Sequence, residues 1–146
     1  MTLQNLLAIQ SLIEFKAQRE DIQRLLTAAE RNLNDSVVTA ISDENRFDAA
    51  YKCVMQCAMA SLWANGYRTH TSKPGHHQIA IQSLALTIGL DAKTVIVLDG
   101  LRKQRNINDY DGVPVSPGVV EECRRQAGAL LANVRAWLAA NHPELC

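Results

Sequence analysis

Aromatic side chains are scarce in this chain: two Phe, two Trp and three Tyr make up 5% of its 146 residues. The apolar residues are mostly Leu, Ala, Ile and Val, a composition that favours helices. Net charge is missing too. Fifteen Lys and Arg balance fifteen Asp and Glu, so no overall field draws the molecule to nucleic acid or anionic lipid, and any such attraction must be local. No apolar run reaches the length of a membrane span. The N-terminus lacks the basic start, apolar middle and small-residue cleavage site of a signal peptide, so a cytoplasmic protein is expected. There is no C-x-x-C pair among Cys53, Cys57, Cys123 and Cys146. With no secretory context to imply oxidation, free thiols are expected. Cys53 and Cys57 share a helical face and would suit zinc if joined by histidines, but small apolar thiols at core spacing account for them as well. Neither a metal nor a cofactor is assigned. The chain has no G-x-S-x-G nucleophile turn, no phosphate-cradling glycine loop and no H-E-x-x-H zinc helix. It also has no internal repeat, low-complexity tract or interdomain linker. At this length it can bury a continuous core without disulfides or metal, so residues 1–146 are read as one domain.

What the sequence does contain is helical periodicity. Leu3, Leu6, Ile9 and Ile13 recur at helical spacing with Leu7 beside them, predicting a short amphipathic helix over 3–13. A longer one runs from about Arg19 to Ala40 through Ile22, Leu25, Leu26, Ala29 and Leu33. Ser42-Asp43-Glu44 reads as an N-cap with an acidic first turn, opening a helix that continues through Phe47, Tyr51, Val54, Met55, Ala58 and Leu62 to Asn65-Gly66. Its small residues, Ala49, Ala50, Cys53, Cys57, Ala58, Ala60 and Ser61, allow close helix approach and place it at the centre of the fold. Tyr67 to Lys73 has no apolar period and reads as a loop. Pro74-Gly75 leads into a helix that starts at His76-His77 and stops near Gly89. Asp91 and Thr94 start the next. Its apolar run Val95–Leu101 has strand-like composition, but no other segment offers a partner strand, so helix is preferred. Gly112-Val113-Pro114 breaks it, and Ser116-Pro117 opens a last helix to about Asn141. The expected fold is all-α, an up-and-down bundle of about five to six helices with short connections.

Two polar clusters are candidates for chemistry. In Leu101–Asp111, Arg102, Asn106 and Asp109 share a helical face, Arg105 lies within reach of Asp109, and Asn106 and Tyr110 are four apart. Such a face suits a phosphate gripped by guanidinium while the amide reads a base or ribose. From spacing alone a solvated helix end with a surface ion pair is the commoner explanation. The second cluster, Arg68, His70, Lys73, His76 and His77, gathers positive or protonatable groups in a loop and at a helix start, where free N–H groups favour anions. The alternative is that His76 and His77 simply cover the turn.

Arg46-Phe47-Asp48-Ala49-Ala50-Tyr51, Gly66-Tyr67-Arg68, Gly75-His76-His77 and Leu98-Asp99-Gly100-Leu101-Arg102-Lys103-Gln104-Arg105-Asn106 with Asp109-Tyr110 occur in an order that resembles the HEPN family, nearest its small stand-alone bacterial branch. The resemblance spans roughly residues 20–140. It implies an all-α bundle that pairs into a homodimer with the polar motifs facing a shared cleft. It also implies RNA or nucleotide as ligand, a toxin-like or regulatory role, and an antitoxin or nucleotidyltransferase-type partner. Arg105 and Asn106 match the start of the family motif, whereas Tyr110 stands where active relatives have histidine. Histidine titrates near neutrality and suits proton transfer, while a tyrosine, with a reference pKa of about 10, is a poor base at pH 7. The expectation is therefore binding through Arg102, Arg105, Asn106, Asp109 and Tyr110, with Arg68, His76 and His77 as further ligand contacts. The enzymatic alternative is a metal-independent endoribonuclease in which Arg105 steadies the phosphate and Tyr110 or a nearby histidine moves the proton. A third reading is a non-catalytic protein-interaction module.

Overall fold

A computed structural model describes all residues, 1–146. Its elements, in order, are α1 (Leu3–Ala8), β1 (Leu12–Glu14), α2 (Arg19–Asp35), α3 (Asp43–Ala64), β2 (Tyr67–Thr69), α4 (His76–Gln82), α5 (Leu84–Thr87), α6 (Ala92–Asp111) and α7 (Pro117–Asn141), closed by a 3₁₀ turn at Pro143–Leu145. The fold is an all-α bundle. α4 and α5 form one run jointed at Ser83, whose backbone stays helical at φ −67°, ψ −15°.

The helix starts lie where the capping residues put them. Ser42, Asp91 and Ser116 accept from the backbone N–H of Asn45, Thr94 and Val119 respectively, and Pro117 occupies the first turn of α7. α3 is buried nearly all round and packs chiefly between α2 and α7. Its small residues Ala50, Cys53, Cys57, Ala58, Ala60 and Ser61 are each 0% exposed and let the flanking helices come close. Phe47 and Tyr51 fill the space toward its N-terminal half. Twenty-nine buried apolar residues from every layer form one connected core. No helix is long and apolar enough to cross a membrane.

Three boundaries differ from the sequence reading. The first helix stops at Ala8 instead of continuing to Ile13. Gln10 takes a left-handed φ of 62°, with Gln10 N–H donating to Leu7 O at 3.0 Å and Ser11 N–H to Leu6 O at 2.9 Å. This is a Schellman closure without the usual glycine. Leu12–Glu14 then pairs antiparallel with Tyr67–Thr69 (Leu12 opposite Thr69, Glu14 opposite Tyr67), so the segment expected as a loop holds a short strand. The two-stranded ribbon leans on α3 through β2, and Leu12 and Thr69 are both buried. Finally, α2 ends at Asp35, not Ala40. Buried Arg46 donates from Nε to Ser36 O at 3.0 Å and so takes a carbonyl at the helix end. The same guanidinium reaches Asp43 at 3.4 Å and Glu121 of α7 at 3.2 Å, tying the 36–42 turn to the bundle.

α6 is anchored unevenly. Its buried residues are Leu98 and Leu101, and none of its residues from Arg102 onward is buried.

Candidate functional site

The last turns of α6 run past the start of α4, and α3 passes beneath both. A cleft of about 250 Å³ opens there, lined by Gly75, His76, His77, Gln78, Arg102, Arg105, Asn106 and Tyr110. The two clusters read separately in the sequence therefore meet: His76 and His77 from one, Arg102, Arg105, Asn106 and Tyr110 from the other. Tyr110 stands at the mouth, 84% exposed. Asp109 is set back from the lining and pairs with Arg105 at 3.2 Å. Arg68 is elsewhere. Its guanidinium lies 5.3 Å from the Phe15 ring centroid, and it lines a different hollow with Trp63 and His70. The rest of its cluster is engaged away from the cleft, with Lys73 donating to Ile9 O at 3.2 Å and His70 Nδ1 2.6 Å from Ser72 Oγ.

Each arginine is steered by a carboxylate outside the lining. Arg102 donates from Nε to Asp99 at 2.7 Å, with both side chains mostly covered. Arg105 Nε sits 3.2 Å from Asp109 and 3.6 Å from Asp48 of α3, and its guanidinium carbon is 5.3 Å from the centroid of the Tyr51 ring. The 3.2 Å approach is an ion pair by distance, but its angle is poor and Nε is left without a hydrogen bond. No carboxylate lines the cleft itself. A chain with zero formal net charge thus presents a local excess of cationic donors at one place.

Tyr51 lies behind the lining, in contact with His77 and under the Arg105 guanidinium. It is 1% exposed, and its hydroxyl lies 3.3 Å from His77 Nδ1. Burial pushes its phenol up to about 12, against the opposing pull of Arg105 and Arg102. Burial also lowers His77 below its ordinary value, helped by the positive charge of His76, Arg105 and Arg102. The two histidine rings meet edge to face at 4.7 Å. Sequence reasoning missed Tyr51 as a site residue because its position on α3 marks it as core. Its partner is 26 residues away, and only the Arg46–Tyr51 motif hinted at more. Asp48, in the same motif, was missed likewise.

The cysteines lie apart from this site. Cys53, Cys57 and Cys123 are buried free thiols and Cys146 is an exposed one. Burial pushes Cys123 up to about 12. No group of three or more His, Cys, Asp or Glu is placed to hold a metal, so the zinc alternative for Cys53 and Cys57 has no ligand set. No family model, curated protein or solved structure matches the chain.

Proposed function

We propose that the chain is a HEPN-like domain that binds RNA or a nucleotide in the α4–α6 cleft. The observation that carries this reading is the meeting of two arginines, two amides, two imidazoles and a phenol from separate segments in a cleft free of carboxylates. Guanidinium groups grip phosphate through forked N–H pairs. Asn106 offers an amide donor and acceptor for a base or ribose, and exposed Tyr110 offers a face for base stacking. The cleft is too small for a folded RNA but suits a phosphate with its sugar. A longer strand would continue across the open mouth.

Homodimerisation is part of the proposal. α6 leaves Ile96 71% and Ile107 43% exposed, and a second copy seated on that helix would cover them and bring two clefts together. Light scattering on the purified protein tests this. A monomer at micromolar concentration would remove the dimer from the proposal while leaving the cleft.

One observation favours a second reading, metal-independent RNA cleavage. His76 and His77 line the same cleft as Arg105, so the histidine that Tyr110 displaces has substitutes close by. Incubating pure protein with total RNA in EDTA separates the two. Cutting that persists in EDTA and is lost in Arg105→Ala supports the nuclease. Intact RNA that is bound, and released by the same substitution, supports binding alone. RNA that is neither bound nor cut, together with no binding of nucleoside mono- or triphosphates, overturns both and leaves a protein-interaction module.

A further inference from the structure

The two histidines of the cleft are neighbours in sequence but not equivalent in surroundings. The His76 ring makes no hydrogen bond to protein, whereas His77 Nδ1 faces the Tyr51 hydroxyl at 3.3 Å. That hydroxyl belongs to a side chain 1% exposed and has no other hydrogen-bond partner. A buried O–H needs an acceptor. If His77 carried its proton on Nδ1 and donated to the phenol oxygen, the phenol proton would be stranded. Only the arrangement in which Tyr51 donates to an unprotonated Nδ1 satisfies both groups, and it puts the His77 hydrogen on Nε2.

We propose that Tyr51 is a positioning residue that holds His77 as the neutral Nε2–H tautomer, making it a fixed hydrogen-bond donor to a bound phosphate oxygen and leaving His76 as the only imidazole in the cleft with both nitrogens free. This deepens the reading of the cleft as a phosphate site and rests on it. The surroundings agree. The phenol, pushed up to about 12, stays protonated throughout the working range. The groups facing His77 from α3, α4 and α6 are Tyr51, His76, Arg102 and Arg105, and none is an acid that would favour a charged ring. The consequence is a division of roles. His77 cannot accept a proton from a ligand through Nε2 while Tyr51 occupies Nδ1, so any proton exchange with the ligand falls to His76.

Long-range proton–nitrogen NMR on the ¹⁵N-labelled full chain, at a pH where the rings are neutral, reads the tautomer of each histidine directly. The expected result is a pure Nε2–H pattern for His77, an averaged pattern in Tyr51→Phe, and an unchanged His76. Tyr51→Phe removes one oxygen and keeps the ring, and the wild-type spectrum alone decides the tautomer even if the variant folds poorly. An Nδ1–H pattern in the wild type, or no change in Tyr51→Phe, overturns the proposal whatever RNA does. The donor role is read from binding of a 2′-O-methyl oligouridylate, which cannot be cut through its 2′ oxygen. Glutamine places an amide N–H near the position of Nε2, and asparagine places one near Nδ1. His77→Gln should therefore stay within about twofold of wild type, while His77→Asn loses about fivefold, the worth of one hydrogen bond. Equal affinity for both variants and wild type overturns the donor role. Failure of the oligonucleotide to bind wild-type protein overturns the phosphate reading and the donor role together, with the tautomer still decided by the spectrum.

Discussion

Arg105→Ala tests whether this one of the two cleft arginines is a ligand contact or a brace. As a brace it offers two part-exposed ion pairs, to Asp48 and Asp109, and a guanidinium over the Tyr51 ring. Ion pairs of this kind contribute about 0.3 to 0.5 kcal/mol each and the cation–π contact about 0.5 to 1. Their loss should cost about 1 to 2 kcal/mol, or roughly 3 to 7 °C in Tm for a chain of this length. Asp48 and Asp109 are exposed enough to be rehydrated, so no buried charge is stranded. As a phosphate contact Arg105 is worth more. A charge-assisted hydrogen bond of about 1.5 to 3 kcal/mol means a ten- to hundredfold loss of affinity. Removing one contact to a single-stranded phosphate should also flatten the plot of log affinity against log salt by about 0.7. Fluorescence anisotropy with a labelled oligouridylate over a salt series reads both. Arg135→Ala, which breaks a pair with Glu30 between α7 and α2, is the control and should leave affinity and slope alone. An Arg105→Ala protein with lowered Tm but unchanged affinity and slope would refute the phosphate contact and leave only the brace.

The remaining expectations concern stability. Arg46→Ala strands the Ser36 carbonyl, which belongs to a residue 0% exposed, and cuts the ties to Asp43 and Glu121. Urea unfolding should show a loss of about 2 to 4 kcal/mol, and a loss under about 1 would mean that water takes over the carbonyl. His77 is lowered in the folded state, first by burial, so the unfolded chain binds the extra proton and stability falls as pH drops below the unfolded value of 6.5. Melting curves through that range should flatten in His77→Gln, and an unaltered slope would place the acid sensitivity elsewhere. Tyr51 has the opposite sign. With its phenol raised to about 12 from 10.0, it contributes stability that is complete below pH 10 and lost as pH rises toward 12. Tyr51→Phe should unfold less steeply across that alkaline window, and an equally steep loss would show that lysines or other tyrosines dominate it.

Local signals carried most of the fold. Ser42, Asp91 and Ser116 mark helix starts by accepting N–H groups three residues on, an interaction readable within one turn of chain. The small residues of α3 likewise announced a central helix. What escaped is non-local or chemically atypical. The ribbon joins Leu12 to Thr69 across the whole of α2 and α3, and three-residue strands are too short to show a period of two. The end of α1 was hidden because Gln10, not glycine, adopts the left-handed turn. At the cleft, the shared face of Arg102 and Asn106 and the four-residue step from Asn106 to Tyr110 are legible in the sequence, whereas Asp109, on the same face by spacing, is set back from the lining. The joining of His76 and His77 to them is not legible in the sequence, since it depends on how α4 meets α6. Tyr51 was invisible for the same reason. Arg68 was drawn in by its nearness in sequence to His70 and Lys73, but residues beyond a turn need not face the way their neighbours do.

The uneven anchoring of α6 has a mechanical consequence. Leu98 and Leu101 clamp its middle, and from Arg102 to Asp111 the helix extends roughly three turns as an overhang. Amide hydrogens on the overhang should exchange with solvent sooner than those near the clamp, because local opening there uncovers little apolar surface. Arg105, paired by charge with Asp48 at 3.6 Å, lying over the Tyr51 ring and lining the cleft, ties overhang to bundle as a strut. A ligand seated against Arg102, Arg105 and His77 would add a second strut, so occupancy should register as slowed exchange along the whole overhang, including residues such as Asn108 that the ligand need not touch.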